Sequence, residues 1–414
     1  MQDKDTTKST IFQLLKPIRK AFSQIPKVIQ ADKYTKKLST LQLIMILAIA
    51  QLNQLRGLRD VSNSLNNEEL SKAINLRSIS HSQLSRRLRE LPPDIAQACF
   101  KAAKLQASIE MGFDAVQRKL GRLNLIDSST ISLCVTKYRW ADFRKTKAGV
   151  KVHLRLKFYE SGVLPDKVVV TPAKPADKTQ MDALIIEEPD AINVFDRAYL
   201  DYKKFDSYCE NGTLFVTRSK GNAIIEIHQE LPVDPNSPIE KDCIVYLGNK
   251  NTYKMKHPLR MIATKDTEGN PVVIFTNNFG LSAEQIGDIY RYRWQIELFF
   301  KWIKQHLFVK HFYGLSRQAV ENQLCIALTT YCLLLLLKLK TDFNGSLLTI
   351  KRLLNTCLYE PFDSFVRKLF RPPDRRSKGR RKIDYQAIYR QTVQQVMAGE
   401  TELFTDLAYD PVIL

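Results

Sequence analysis

The stretch from Ser282 to Leu307 constrains the chain more than any other, because it predicts a long helix with two different faces. Ser282 and Gln285 have the spacing of a capping box, so the helix is expected to begin there and to run on without glycine or proline after Gly287. One face carries polar side chains, namely Tyr290, Arg293, Glu297 and Lys304, with Lys301 beside them. The opposite face is apolar and consists of Ile296, Phe299, Phe300, Ile303 and Leu307. The helix is therefore predicted to bury one side and to present chemistry on the other.

The polar face has two interpretations. In the first, it is a solvent-exposed surface with helix-spaced ion pairs such as Arg293 to Glu297. In the second, it is functional, because the order Tyr290-x2-Arg293-x3-Glu297-x6-Lys304 resembles the Y-R-E-K signature of a large family of bacterial insertion-sequence transposases. That resemblance implies an α/β fold with an RNase H-like core, in which Glu297 is the last of three metal-binding carboxylates and two aspartates precede it on strands.

The chain carries a large excess of basic residues. Its 414 residues include 63 Lys and Arg against 43 Asp and Glu, which gives a net charge of +20. This excess favours a polyanionic partner, although an anionic membrane surface would also attract it. Because 44% of the residues are hydrophobic, the charge is expected to lie on a folded body. The length predicts two or three structural units.

Several features predict a protein of the bacterial cytoplasm that associates with the nucleoid. The amino terminus is polar and lacks the apolar segment of a signal peptide. The longest apolar run, Cys325 to Leu337, is too short to span a bilayer and predicts a buried helix, so no membrane partner is expected. The seven cysteines form no C-x-x-C pair, which indicates reduced thiols, and the six scattered histidines argue against a zinc site.

Changes of pattern along the chain divide it into four regions. Helical segments are followed by short β-branched runs typical of strands, and antiparallel strands followed by a helix and a further strand suit an RNase H-like mixed sheet with a β-rich insertion. The predicted regions are a basic arm (1–40), an α-helical DNA-binding domain (41–117), the catalytic domain (118–345) with its insertion at about 212–280, and a basic C-terminal helical region (346–414). In the last of these, Val366 to Lys382 is predicted to be an extended strip that contacts phosphates.

The basic segment Ser80 to Leu91 is the candidate for reading DNA. Ser80 is a suitable N-cap, and the helix after it places Arg86 and Arg87 on positions predicted to be exposed. The segment is typical of the second helix of a helix-turn-helix, whose early residues contact bases while its arginines contact phosphates. An ordinary basic surface helix in a helical bundle explains the same pattern, so both interpretations stay open.

Two aspartates are candidates for the carboxylates that precede the signature helix. Asp127 lies in the apolar first half of a predicted strand, Leu123 to Leu133, where an ionised carboxylate is costly unless a metal or a partner neutralises it. Its alternative role is to cap a turn at a strand end. Asp196 follows the buried-type strand Ala191 to Phe195, at the end where α/β sheets place ligand groups.

The residues around Asp196 favour it over the acids nearby. The sequence D-R-A-Y that begins there resembles the D-R-G-Y around the second aspartate of the family, with Ala198 in place of the glycine. The competing acids are interpreted as structural, with Asp177 a loop acid, Asp182 a helix-start acid and Asp201 an N-cap.

Three carboxylates without a His or Cys cluster suit hard cations, Mg²⁺ or alternatively Mn²⁺. Two such ions would support an in-line phosphodiester displacement at Asp127, Asp196 and Glu297. Arg293 can bind a phosphate through two hydrogen bonds. The remaining polar residues of the face have simpler expected roles: Lys301 and Lys304 bind phosphate as point charges, and Tyr290 donates to a phosphate or stacks on an unpaired base.

The resemblance implies a transposase that binds the terminal inverted repeats of an insertion sequence, cleaves the DNA strands and joins the element to target DNA. Because two ends must be cut and joined together, a two-fold homodimer is expected in the synaptic complex. Two alternatives remain open. A metal-dependent nuclease on the same fold would keep the three carboxylates without strand transfer, and an inactive DNA-binding derivative would usually have lost one of them.

Overall fold

The computed structural model describes residues 9–22, 25, 31–144, 147–251, 253–265 and 269–372. Its helices are α1 (Thr10–Phe22), α2 (Thr40–Leu52), α3 (Leu58–Ser64), α4 (Glu68–Ile74), α5 (His81–Glu90), α6 (Pro93–Met111), α7 (Ala115–Leu120), α8 (Met181–Leu184), α9 (Tyr202–Glu210), α10 (Ala283–Tyr292), α11 (Trp294–His306), α12 (Arg317–Thr341), α13 (Leu347–Cys357) and α14 (Phe362–Leu369). Its strands are β1 (Arg122–Leu133), β2 (Asp142–Arg144), β3 (Lys147–Tyr159), β4 (Gly162–Pro172), β5 (Ala191–Phe195), β6 (Leu214–Arg218), β7 (Ile225–Leu231), β8 (Ile239–Leu247), β9 (Leu259–Lys265) and β10 (Pro271–Thr276).

Within the described residues, the strands form one mixed ten-stranded sheet. Its order is β2-β3-β1-β5-β6-β10-β9-β8-β7, and β4 also pairs with β3. The first long strands β1, β3 and β4 are antiparallel neighbours, whereas β5 and β6 lie parallel to β1 on its other side. All five residues of β5 are buried, as expected for a parallel strand covered on both faces. The predicted RNase H-like mixed sheet is confirmed.

The β-rich insertion continues this sheet. The prediction began the insertion at about residue 212, but β6 pairs in parallel with β5 and belongs to the catalytic sheet. The strands β7 to β10 follow in the same sheet, and β10 attaches them to β6 through an antiparallel pairing. A local pattern could not assign β6 to one part or the other, because strand order depends on long-range pairing.

The predicted helix from Ser282 to Leu307 is divided in two. Its capping box is confirmed, since Ser282 and Gln285 exchange both hydrogen bonds. Arg293 separates α10 from α11 although its backbone stays helical, with φ −54° and ψ −31°. The N–H of Arg293 donates to the carbonyl of Tyr290, and the N–H of Ile296 donates to that of Arg293, both at 3.1 Å. These three-residue spacings tighten the winding at Arg293.

One hydrophobic core joins the amino-terminal helices, the sheet and α12. The helix α12 is buried along α6 and α2, which confirms the buried helix predicted from Cys325 to Leu337. By length and composition α12 could cross a membrane, but 78% of its apolar window is buried inside the fold. The predicted basic arm contains α1, whose apolar side joins this core. The basic strip Val366 to Lys382 is described only to Pro372, and the chain after that lies outside the described residues.

Candidate active site

The register between β1 and β5 brings two of the predicted carboxylates together. Ile126 lies opposite Phe195 in the parallel pairing of β1 and β5. The next residues, Asp127 in β1 and Asp196 directly after β5, therefore lie side by side. Neighbouring strands are about 4.8 Å apart, which makes these two carboxylates close neighbours. Asp127 lies inside β1, which continues to Leu133, so the alternative of an aspartate that caps a turn at a strand end is wrong.

Arg293 connects the third carboxylate to this pair. Its Nη2 lies 2.6 Å from Oε1 of Glu297, and its Nη1 lies 3.6 Å from Oδ2 of Asp127. The other oxygen of Asp127, Oδ1, accepts a hydrogen bond of 2.7 Å from the backbone N–H of Ser128. The helix α11 thus places Glu297 close to Asp127 on β1. The carboxylates of these two residues share the guanidinium of Arg293.

The site contains more negative than positive charge. Burial, together with the nearby carboxylates of Glu297 and Asp196, raises the pKa of Asp127 to about 7 against the opposing effect of Arg293. Burial alone would lower the pKa of Arg293, but Glu297, Asp127 and Asp196 raise it well above its ordinary value. A single guanidinium among three carboxylates leaves a surplus of negative charge that a bound cation would neutralise.

The donor groups fit a hard divalent cation. In the part of the chain that the structure describes, no three acidic, His or Cys side chains lie close enough together to hold a metal ion. The guanidinium of Arg293 lies between Asp127 and Glu297 and is close to both carboxylates. The available ligands are carboxylate oxygens, which is the donor type that Mg²⁺ and Mn²⁺ bind.

The polar face of the signature helix is more buried than predicted. Tyr290 is 8% exposed, and Arg293 and Lys301 are each 7% exposed, because this side of the helix packs against the sheet. The guanidinium carbon of Arg293 lies 5.6 Å from the ring centroid of Tyr290 and 5.4 Å from that of Trp294. Burial lowers the pKa of Lys301 to about 8. The exposed position predicted for Lys301 is therefore not observed, and its contact with a DNA phosphate stays a prediction.

Lys304 lies in the last turn of α11 and remains partly exposed. Its Nζ donates to Oγ of Ser129 at 2.7 Å and to the carbonyl of Thr130 at 3.3 Å. These bonds connect the last turn of α11 to the strand that carries Asp127. Lys304 thereby holds the helix against the strand at the site itself.

The two arginines of α5 have different surroundings. Ser80 caps the helix as predicted, by accepting a hydrogen bond from the N–H of Gln83. Arg86 is exposed, but Arg87 is paired at 2.8 Å with Oδ1 of Asp32 and its side chain is 19% exposed. Only Arg86 therefore matches the predicted exposure, since a long-range ion pair holds Arg87.

Asp177 was missed as part of the site. Instead of being a free loop acid, it accepts a hydrogen bond of 2.6 Å from Oγ of Ser128, next to Asp127. Asp182 pairs with Lys204, and Asp201 caps α9 as predicted. The run of hydroxyl residues directly after Asp127 was the one local signal for such a partner.

A pocket of about 430 Å³ opens beside Asp196 and was also missed. Its lining comes from the turn after β5 and from the loop between β6 and β7, and consists of Asp196, Arg197, Ala198, Lys220, Gly221 and Asn222. Two of these residues are cationic and one is an amide, so the wall next to the carboxylates is suited to an anionic ligand.

Comparisons with known proteins agree with this geometry. Residues 118–333 match the family described as the transposase DDE domain, and residues 6–72 match a domain of unknown function (DUF4372). Over 80% of this chain and 81% of the relative, the sequence is 30% identical to a probable transposase for insertion sequence element IS5377 of Geobacillus stearothermophilus. It is 31% identical to the protein y4zB of Sinorhizobium fredii, which carries a transposase name, over 63% of this chain and 73% of that one.

Among solved structures, a cryo-EM structure of the piggyBac transposase synaptic complex with hairpin DNA has a TM-score of 0.39 at 10% identity, covering 95% of this chain and 83% of that one. That similarity is too low to carry an argument. The family match spans the sheet, Asp127, Asp196 and Glu297. The chain belongs to the DDE transposases of insertion sequences, enzymes that cleave DNA strands and transfer them.

Proposed function

We propose that Asp127, Asp196 and Glu297 are the catalytic carboxylates of a transposase of the Y-R-E-K type, which cuts at the terminal inverted repeats of its own insertion sequence and joins them to target DNA. One observation carries the proposal. Asp196 directly follows the strand that pairs in parallel with the strand of Asp127, and a guanidinium joins Asp127 to Glu297 on a helix that packs against the same sheet. The surplus of negative charge there has no evident structural use.

The proposed cofactor is Mg²⁺, with Mn²⁺ able to replace it, held by Asp127, Asp196 and Glu297. Ions held by these carboxylates would supply activation of a water or a 3′ hydroxyl and stabilisation of the leaving oxygen. Arg293 keeps the carboxylates together in the DNA-free protein and turns to a backbone phosphate when DNA enters. Tyr290, which stacks near that guanidinium, is proposed to hold an unpaired base beside the scissile phosphate.

The proposed DNA contacts outside the carboxylates are Arg86 on α5 and Lys301 and Lys304 on α11. Arg87 is left out because its guanidinium is paired with Asp32, whereas Lys301, which is as buried as Arg293, stays a predicted contact. The net charge of +20 supports binding to double-stranded DNA, and we propose that the protein acts on the nucleoid in the bacterial cytoplasm. Two ends cut and joined together require two active sites, so the proposed synaptic complex contains a homodimer.

The test uses an end-labelled inverted repeat from the DNA that flanks the reading frame, incubated with Mg²⁺. Asp127→Asn, Asp196→Asn and Glu297→Gln should each abolish the first nick, while gel shifts show unchanged end binding. The matched control is Asp182→Asn, which removes an exposed carboxylate paired with Lys204 and should nick normally. Normal nicking by any of the three carboxylate variants would refute the assignment. Joined products distinguish a transposase from a nuclease.

A further inference from the structure

Behind Asp127 lies a second group of polar residues that the proposed chemistry does not use. Asp127 pairs across the β1–β3 ladder with Leu154, and the next residue, Ser128, pairs with His153. Successive side chains of a strand point to opposite faces, so the hydroxyl of Ser128 points away from Arg293 and lies on the face of His153. On that face the structure brings a third aspartate next to the site.

This third aspartate is Asp177, the first residue of the short turn Asp177–Gln180. Oδ1 of Asp177 accepts a hydrogen bond of 2.6 Å from Oγ of Ser128 and lies 3.0 Å from Nζ of Lys151. Lys151 also donates to the carbonyl of Pro175 at 3.0 Å, which fixes the segment that leads to Asp177. The Lys151 side chain is 12% exposed and that of Asp177 is 21% exposed, so this contact is largely shielded from water.

The fully buried ring of His153 completes the group. Its Nδ1 lies 3.7 Å from Oδ1 of Asp177, which is longer than a hydrogen bond, and its Nε2 lies 3.0 Å from Oγ1 of Thr171. Burial lowers the pKa of His153 to about 4, so the ring is neutral at pH 7. Lys151 is therefore the positively charged partner of Asp177 on this face.

We propose that Asp177 is a positioning residue for Asp127, acting through Ser128. The hydroxyl of Ser128 donates to Asp177. The backbone N–H of Ser128 donates to Oδ1 of Asp127 at 2.7 Å. Nη1 of Arg293 lies 3.6 Å from the other Asp127 oxygen, which is longer than a hydrogen bond. Ser128 thus holds the carboxylate in one orientation when Arg293 turns to DNA. This inference rests on the proposed role of Asp127 as a metal ligand.

Removing an outer partner of a metal ligand typically lowers metal affinity or activity by about 10- to 100-fold. Asp177→Asn keeps the shape of the side chain but weakens its bond to Ser128 and its pairing with Lys151. Ser128→Ala removes the hydroxyl and leaves the backbone N–H in place. Each variant should raise the Mg²⁺ concentration that gives half-maximal nicking by about tenfold. Neither should change metal-free binding to the inverted repeat.

The experiment compares wild type, Asp177→Asn, Ser128→Ala and the double variant, with Asp182→Asn as the control from the same segment. Nicking is measured across a range of Mg²⁺ concentrations, and Mn²⁺ binding to the DNA-free protein is measured by titration calorimetry. Because Asp177 is proposed to act only through Ser128, the double variant should be no more impaired than the more impaired single variant. Asp182→Asn should match wild type in both measurements.

Three outcomes would overturn the inference: an unchanged Mg²⁺ requirement in Asp177→Asn, an unchanged requirement in Ser128→Ala, or additive losses in the double variant. If circular dichroism shows that Asp177→Asn does not fold, Ser128→Ala alone decides the question. Asp127→Asn is measured in the same experiment to distinguish a failure of the proposed active site from a failure of the role proposed for Asp177. If Asp127→Asn is inactive while the Asp177 and Ser128 variants match wild type, only this inference fails. If Asp127→Asn nicks normally, the proposed active site fails.

Discussion

Two largely buried aspartates of the same sheet have opposite surroundings. Asp166 on β4 is 7% exposed and is surrounded by cations, with Nζ of Lys104 at 2.6 Å, Nε of Arg155 at 2.7 Å and Nζ of Lys157 at 3.8 Å. Burial alone would raise the pKa of Asp166, but these cations, Arg155 foremost, hold it below its usual range. At Asp127 burial raises the pKa to about 7, and one guanidinium is shared with other carboxylates.

The difference separates a structural ion cluster from the proposed active site. Lys104 belongs to α6, so Asp166 ties the amino-terminal helices to the sheet, and its charge is fully compensated within the fold. The carboxylates around Arg293 repel one another, and the fold maintains them at a cost. A surplus of one sign in a shielded site indicates a missing counter-charge, which is the property expected of a metal-binding site.

The largest expected effect is on catalysis. Asp127→Asn should reduce nicking of the inverted repeat by at least about a thousandfold, because a neutral amide removes one charge from the metal site. Asp166→Asn should retain wild-type nicking per folded molecule, measured below its melting temperature. Equal losses of nicking in both variants would mean that the two clusters do not differ in function.

For stability, substitution of Asp166 should have a larger effect than substitution of Asp127. Asp166→Ala should lower the free energy of unfolding by about 3 kcal/mol, because it leaves Lys104 and Arg155 shielded from water without their counter-charge. In metal-free buffer, Asp127→Asn should be as stable as wild type or more stable, because it relieves repulsion with Glu297 and Asp196. Urea unfolding of the three proteins provides the measurement. A larger destabilisation by Asp127→Asn would contradict the comparison.

Lys301 is a buried cation in the helix that carries Glu297, and its effect on stability should depend on pH. Burial lowers its folded-state pKa to about 8, below the 10.5 of an ordinary lysine, so the unfolded chain binds more protons between these two values. Wild-type stability should therefore gain from this group as pH rises from 8 toward 10.5. Lys301→Met should lack that gain and be more stable at pH 7 by about 1–2 kcal/mol. If the free energy of unfolding changed with pH in the same way in wild type and in Lys301→Met, the lowered pKa of Lys301 would be ruled out.

The smallest effect is expected on DNA binding. Arg86→Ala should weaken binding to the inverted repeat about fivefold and reduce the salt slope by about one, since it removes one phosphate contact. Arg87→Ala should leave the salt slope unchanged and lower stability, because Arg87 pairs with Asp32. Gel shifts over a range of salt concentrations distinguish the two. An Arg87 effect on the slope as large as that of Arg86 would contradict the assignment of these side chains.

The sequence predicted those parts of the site that depend on local pattern. The strands that carry Asp127 and Asp196 follow from short apolar runs, and the start of α10 follows from its capping box. The tightened winding at Arg293 and the burial of Lys301 could not be predicted, because both result from packing against the sheet. Likewise, the partners of Arg87 and Asp177 are 55 and 49 residues away in sequence.

The same limit applies to β6. Its residues predicted a strand, but only its pairing with β5 shows that it belongs to the catalytic sheet rather than to the insertion. Periodicity specifies which segments are strands, whereas their order depends on which apolar faces pack together in the finished core.

The central question is whether Asp127, Asp196 and Glu297 bind a divalent cation. The decisive measurement is the melting temperature of the DNA-free protein with and without millimolar Mg²⁺, for wild type, Asp127→Asn and the Asp166→Asn control. A ligand that binds only the folded state raises the melting temperature. Mg²⁺ should therefore raise it in wild type and in Asp166→Asn, and should have no effect on Asp127→Asn. An equal Mg²⁺ shift in all three proteins, or none in wild type, would contradict the claim that Asp127 belongs to a metal site.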